Sequence, residues 1–245
     1  MREAFQKYPG FFKGMLVADP SAENPETILR DIVASSPDFW VGVRFNPYKW
    51  TDAAMADDVG KSLFATAGEL RLPVGFMPFK GLATHVEAIE TLMKSSPATI
   101  VIIDHWGFHV QPATGFGDDR LVQEEHWENL LRLGREYPQV HVKLSGAFRN
   151  TLQPFPFADL QNRLERLVEV FSAKRLLWGS DAPYFLDFGE YSHAVGYLTN
   201  WSVWKELLNE EQRADILHRN SERLFGAWGS GSSVGTATAG SEAEL

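Results

Sequence analysis

SPATIVIIDHWG, residues Ser96–Gly107, decides how the chain folds. Pro97 ends whatever helix precedes it, because proline has no N–H to donate and pushes its predecessor toward extended backbone. Thr99 to Ile103 is then a short run rich in β-branched residues, and it stops abruptly at Asp104 and His105. An apolar run of that length between turn residues reads as a buried strand with a polar carboxyl end. The same unit recurs. Pro37 precedes FWVGVRF (Phe39–Phe45), Pro73 precedes VGFMPF (Val74–Phe79) and Pro138 precedes VHVKLS (Val140–Ser145). FFKGMLVAD (Phe11–Asp19) and RLLWGSD (Arg175–Asp181) fit the pattern without the proline. The runs start roughly 25 to 40 residues apart, the spacing of strand–helix units in a parallel sheet.

Helical signals fill the intervals. Asn24-Pro25-Glu26 predicts an N-cap, a proline at the first helical position and an acid in the first turn. Ile28, Leu29, Ile32 and Val33 form a stripe behind it. Met55, Val59 and Leu63 follow Asp52 at helical spacing, and Thr84 with Glu87 has the form of a capping box. Trp127, Leu130 and Leu131 lead to a stop at Tyr137-Pro138. Leu160, Leu164, Leu167, Val168 and Phe171 form a fifth stripe, and a last helical region covers about 201–224. Strands are therefore predicted at 12–18, 40–45, 74–78, 100–104, 140–144 and 176–180, parallel and in sequential order. A closed (β/α)8 barrel needs eight strands and an open doubly wound sheet does not. Periodicity does not separate the two.

Composition narrows the function. The chain has 245 residues and no cysteine, which rules out disulfides, thiolate metal sites and a cysteine nucleophile. Its 23 Lys and Arg against 32 Asp and Glu give 23 − 32 = −9, which disfavours nucleic-acid and anionic-membrane partners and leaves a small-molecule substrate. The start lacks an apolar signal core and no run spans a bilayer, so the cytoplasm is the default, with organellar targeting in a longer parent chain left open. Residues 1–228 read as one domain. Residues 229–245, GSGSSVGTATAGSEAEL, read as a flexible low-complexity tail.

In parallel α/β folds ligands bind at the carboxyl ends of strands. Here those ends carry Asp19, Arg44, Asn46, Lys80, Asp104, His105, Lys143, Ser145, Ser180 and Asp181. Alternation puts His105 on the side of Val101 and Ile103, and Asp181 on the side of Leu177 and Gly179. Gly179 leaves room for a close approach. An Asp181 carboxylate suits a general base, and a neutral His105 suits a hydrogen-bond donor to a developing oxyanion. The planar fork of Arg44 suits a substrate carboxylate, with Lys80 or Lys143 adding positive charge. His85 reads as a surface residue, and His126, His193 and His218 receive no role.

IIDHWG (Ile102–Gly107), VHVKLSG (Val140–Gly146), LLWGSDAP (Leu176–Pro183) and NSERLFG (Asn220–Gly226) together resemble the amidohydrolase-related metal-dependent hydrolases of the TIM-barrel type. The resemblance covers about 11–226, and FMPFKGLATHVEAIE (Phe76–Glu90) further resembles a plant and algal branch. It implies a parallel (β/α)8 barrel of which this sequence holds six strands, the first two being missing. Open barrel edges then predict self-association. The implied activity is hydrolysis of a small amide, lactone or ester-like substrate; one branch decarboxylates instead. Asp181 matches the last-strand aspartate, a general base and in some members a metal ligand, and His105 matches the histidine of the D-H-x-G strand. The implied cofactor is a divalent metal, zinc foremost, held by His105 and Asp181. Two departures stand against it: no His-x-His occurs anywhere, and Val74–Pro78 offers no ligand side chain. A catalytic zinc takes three protein ligands, and recognised positions here supply two. The competing readings are an inactive remnant serving as a binding or structural protein, and a carbon–carbon lyase on the same fold.

Overall fold

The computed structural model describes residues 10–50, 54–112 and 120–226, together with Glu3, Lys7 and Tyr8. The low-complexity tail lies outside the described residues. Six strands form one sheet: β1 (Gly14–Val17), β2 (Trp40–Phe45), β3 (Val74–Phe76), β4 (Val101–Ile103), β7 (Val140–Leu144) and β8 (Leu176–Trp178). They are ordered β1-β2-β3-β4-β7-β8, and each neighbouring pair is parallel. The crossovers carry α1 (Pro25–Ser35), α2 (Asp58–Glu69), α3 (Val86–Ser95), α4 (Glu124–Glu136) and α5 (Gln161–Phe171). After β8 the chain runs through α6 (Tyr191–Asn200), α7 (Ser202–Leu207), α8 (Glu210–Ala214) and α9 (Asn220–Phe225). The architecture is α/β of the TIM-barrel type. The sheet is open: β1 pairs only with β2 and β8 only with β7 among the described residues. No helix among them is long and apolar enough to cross a membrane.

Register sorts the side chains into rows. Val43, Val74, Val101 and Val140 share one row, and Phe45, Phe76, Ile103, Val142 and Leu176 the next. Both rows face the helices, where Phe64 of α2 meets the Phe45 and Phe76 rings at 6.1 and 6.3 Å. Full burial of each such ring contributes about 1.5–3 kcal/mol, so this layer holds the sheet's shape. The row between, Arg44, Gly75, Ile102 and His141, faces inward.

Local details differ from the sequence reading. Pro25 and Glu26 occupy the first turn of α1, but Asn24 is left-handed (φ 54°) and makes no side-chain cap. Asp57 caps α2, accepting from the Gly60 N–H at 2.8 Å; Asp52 lies outside the described residues. The Thr84–Glu87 capping box does not form, because a short 3-10 turn, Leu82–Thr84, precedes α3 and the Thr84 hydroxyl donates to the Lys80 carbonyl at 3.2 Å. An unanticipated antiparallel hairpin, β5 (Val110–Pro112) with β6 (Arg120–Val122), interrupts the path from β4 to α4. Its three-residue strands are too short to leave a periodic signal.

The motif NSERLFG acts at the C-terminal end. Buried Asn220 donates to the Ala173 and Leu176 carbonyls at 2.7 and 2.6 Å, tying α9 to the start of β8. Lys13 donates to the Phe225 and Gly226 carbonyls at 2.7 and 3.0 Å, so the first strand is also anchored to that helix.

Candidate active site

The inward face ends in a cleft of about 630 Å³ whose lining includes Arg44, Met77, His105, Lys143, Arg149 and Asp181. Lys80 lies outside that lining and is exposed. Asp181 lies just past the end of β8, where residues 177–182 all border the cleft, and its own backbone is left-handed (φ 60°). A side chain at Gly179 would put its Cβ 3.1 Å from the Ser145 Cβ, so the glycine lets β8 close against β7.

His105 arrives by a different route. The row of Val101 and Ile103 faces the helices, so alternation alone would direct His105 away from the cleft. The backbone instead turns left-handed at His105 (φ 51°), Trp106 (φ 54°) and Phe108 (φ 50°). Such residues cost of order 1–3 kcal/mol each unless their surroundings hold them. Buried Asn150 does so: its amide donates to the His105 carbonyl at 2.9 Å and to the Gly146 carbonyl at 3.2 Å, while its oxygen accepts from the His109 N–H at 3.1 Å. The turn swings the imidazole back over the strand ends.

There the His105 Nε2 lies 3.7 Å from Asp181 Oδ1. The His105 Nδ1 lies 2.8 Å from the Ser145 hydroxyl. Arg149 donates from Nε to Asp181 Oδ2 at 2.8 Å, fixing the other carboxylate oxygen. Burial pushes the His105 imidazole below its ordinary 6.5; Asp104 and Asp181 oppose that shift without reversing it. The ring is therefore neutral at neutral pH.

Behind this pair sits Asp104, fully buried and flanked by two cations. Arg44 donates to Oδ2, and the Lys143 Nζ is 2.6 Å from Oδ1. Burial alone would raise the Asp104 carboxyl; Lys143 and Arg44, with His105, outweigh it and hold the group below the usual carboxylate range. Three cations (Arg44, Lys143, Arg149) face two carboxylates (Asp104, Asp181), a balance of one positive charge in a chain of net −9.

These residues do not fit a catalytic zinc site. His105 and Asp181 are two donors, and no group of three His, Cys, Asp or Glu suited to a metal exists among the described residues. The Arg149 guanidinium already occupies one Asp181 oxygen. Sequence reading missed Arg149 and Asn150, which stand on and just after the short turn Ala147–Arg149. Their only advance signal is position, within a few residues of a strand's carboxyl end.

Six parallel strands in sequential order, with a polar cleft at their carboxyl ends, fit an α/β protein of TIM-barrel type. The chain belongs to the amidohydrolase family, whose model, Amidohydrolase, matches residues 1–227. It is 34% identical over 127 residues to the 4-sulfomuconolactone hydrolase of Hydrogenophaga intermedia, covering 51% of this chain and 38% of that protein. It is 25% identical over 130 residues to the L-fucono-1,5-lactonase of Burkholderia ambifaria, covering 52% of this chain and 40% of that protein. The chain thus spans about two fifths of the length of these curated relatives. A crystal structure of a probable 2-pyrone-4,6-dicarboxylic acid hydrolase from Acinetobacter baumannii, with citric acid bound, shares the fold. Its TM-score is 0.70 at 23% identity, over 92% of this chain and 77% of that one. All three relatives are bacterial and lend no support to the plant and algal likeness of residues 76–90.

Proposed function

We propose that this chain carries the site of a hydrolase that opens small lactones or related esters bearing a negative charge. The observation that carries the reading is the Asp181 carboxylate and the neutral His105 imidazole facing one another, 3.7 Å apart, in a single cleft. The reading takes the Ser145 hydroxyl, 2.8 Å from Nδ1, as the donor of that hydrogen bond, which puts the His105 proton on Nε2, toward the cleft. Asp181 accepts a proton from water as the water oxygen bonds to the carbonyl carbon. The carbonyl π electrons move onto oxygen, and the His105 N–H stabilises that oxyanion. Collapse breaks the ring C–O bond, and the departing alkoxide takes the proton back from Asp181. The net positive charge contributed by Arg44, Lys143 and Arg149 favours an anionic substituent on the substrate. Lys80, away from the cleft, has no part in this. Both curated relatives are named for lactone hydrolysis, which supports lactones over amides.

The test is hydrolysis of muconolactone and of an uncharged butenolide by the wild-type protein and by Asp181→Asn. Asparagine cannot take the water's proton, so turnover should fall by about 10²–10⁴, the usual contribution of a general base. Circular dichroism at the assay temperature should be unchanged, so that lost turnover is not lost fold. Full turnover in Asp181→Asn would place the base elsewhere. Carbon dioxide release from a hydroxybenzoate without any lactone opening would replace this reading with the lyase.

A further inference from the structure

We infer that the cleft continues into an aromatic subsite that seats a planar apolar substituent of the substrate. The hydrolase reading says what bond is cleaved; this subsite concerns what else the molecule carries, and it rests on that reading only for the word substrate. Two further depressions extend from the cleft in a row. The nearer, about 220 Å³, is walled by Phe79, Phe108, Phe148 and Phe188, and it shares Phe79 and Arg149 with the cleft. The farther, about 670 Å³, shares Arg120, Phe148 and Phe188 with the nearer one and adds Phe155 and Phe157.

Two pairs of rings border the nearer depression. On one wall Phe148 and Phe188 stack with centroids 4.2 Å apart and planes 21° apart. On the other, Phe79 and Phe108 meet at 5.1 Å, and Phe108 presents its ring to His105 at 5.0 Å and 86°. Arg149 stands at the joint: its Nε holds Asp181, and its guanidinium carbon lies 4.7 Å from the Phe148 centroid and 5.2 Å from that of Tyr184. One side chain therefore touches the proposed general base and the first aromatic wall together. Arg120, from β6, donates to the Phe148 and Arg149 carbonyls, so the hairpin pins the backbone of that wall.

Exposure points the same way. Phe108 and Phe148 are 4% and 3% exposed, whereas Tyr184 is 58% exposed and Phe188 54%, both on the segment that follows Asp181. Leu152 and Phe155, after the turn Ala147–Arg149, and Leu186, between Tyr184 and Phe188, are exposed as well. Isolated exposed rings are ordinary, but contiguous apolar surface at a cleft marks a binding site. The row opens from the cleft itself, and the cleft volume is in the small-molecule range of about 300–1,000 Å³, so the occupant is part of a small molecule.

The test uses two probes, benzoate and biphenyl-4-carboxylate, titrated calorimetrically into wild-type protein, Phe188→Ala and Phe79→Leu. Each acid offers one carboxylate to the cleft cations; only the second carries a further ring. Wild type should bind the biphenyl acid at least tenfold more tightly, and both variants should reduce that ratio to threefold or less. Equal affinities in wild type, or a preference untouched by both substitutions, would overturn the subsite. So would a wild-type dimer that Phe188→Ala splits, because a second copy would then be what covers the rings. Lactone assays separate the two proposals. A biphenyl preference that the variants abolish, with no lactone opened, leaves the subsite standing and removes the hydrolase. Lactones opened at rates indifferent to an aryl group remove the subsite alone.

Discussion

Replacing Asp104 by asparagine should unfold the protein far more readily than a change of one atom suggests. The side chain is fully buried between Arg44 and Lys143, which are themselves 25% and 21% exposed. Asparagine keeps the shape but not the charge, and its NH₂ must face one of the two cations. Breaking a buried ion pair by removing one partner costs about 3–5 kcal/mol. Both cations here retain some access to water, which places the expected loss at the low end, about 3 kcal/mol. That is a large part of a domain's total of about 5–15 kcal/mol. Urea unfolding at pH 7 measures it directly. With a slope of about 2 kcal/mol/M, the midpoint should fall by about 1.5 M while the slope stays constant. The pH dependence gives a second reading. The folded-state pKa of Asp104 lies below its ordinary 3.8, so its contribution is complete above that value and is lost as pH falls through the folded pKa. The gap between wild type and variant should be constant from pH 7 to 5 and begin to narrow below about pH 4. A gap under about 1 kcal/mol at pH 7 would refute the assignment of Asp104 as the charge that holds the two cations in place.

Three further outcomes are expected. His109 is buried, with its pKa pulled down to about 4 chiefly by that burial, so the unfolded chain binds its proton first. Stability should fall by up to about 3 kcal/mol as pH drops from 6.5 to 4, and His109→Gln should flatten that slope in thermal melts. Gly146 is left-handed (φ 58°), and a Cβ there would lie 2.8 Å from His105 Nδ1 and 3.1 Å from Asp181 Oδ2. Gly146→Ala should therefore cost about 1–2 kcal/mol in backbone strain and, in kinetic assays, lower lactone kcat by at least the factor of ten that follows from displacing the imidazole. Zinc added at pH 7 should be lost on dialysis, because two donors and a competing guanidinium make a poor site; stoichiometric zinc surviving dialysis would show an additional ligand.

Much of the fold was legible because its signals are local. Prolines before four of the runs, the apolar runs themselves and the apolar stripes between them are properties of neighbouring residues, and together they located all six sheet strands and the five helices between them. Asp181 was legible as a polar residue just past a strand end, although its own left-handed backbone (φ 60°) was not. His105 shows where that logic stops. Its place in the cleft depends on three left-handed residues whose conformation is held by Asn150, 45 positions away. The hairpin β5–β6 escaped notice because pairing between three-residue strands depends on tertiary surroundings and not on periodicity.

The sequence by itself determined the class of architecture, the strand order and the short list of polar strand ends, because hydrophobic periodicity and proline placement act within a few residues. Only the tertiary structure decided what those polar ends do to one another. It committed Arg44 and Lys143 to Asp104, set Arg149 on Asp181, turned His105 back over the sheet and left Lys80 outside. Charge pairing and burial fall off over a few ångströms of space, and separations along the chain of 32 to 60 residues carry no record of those distances.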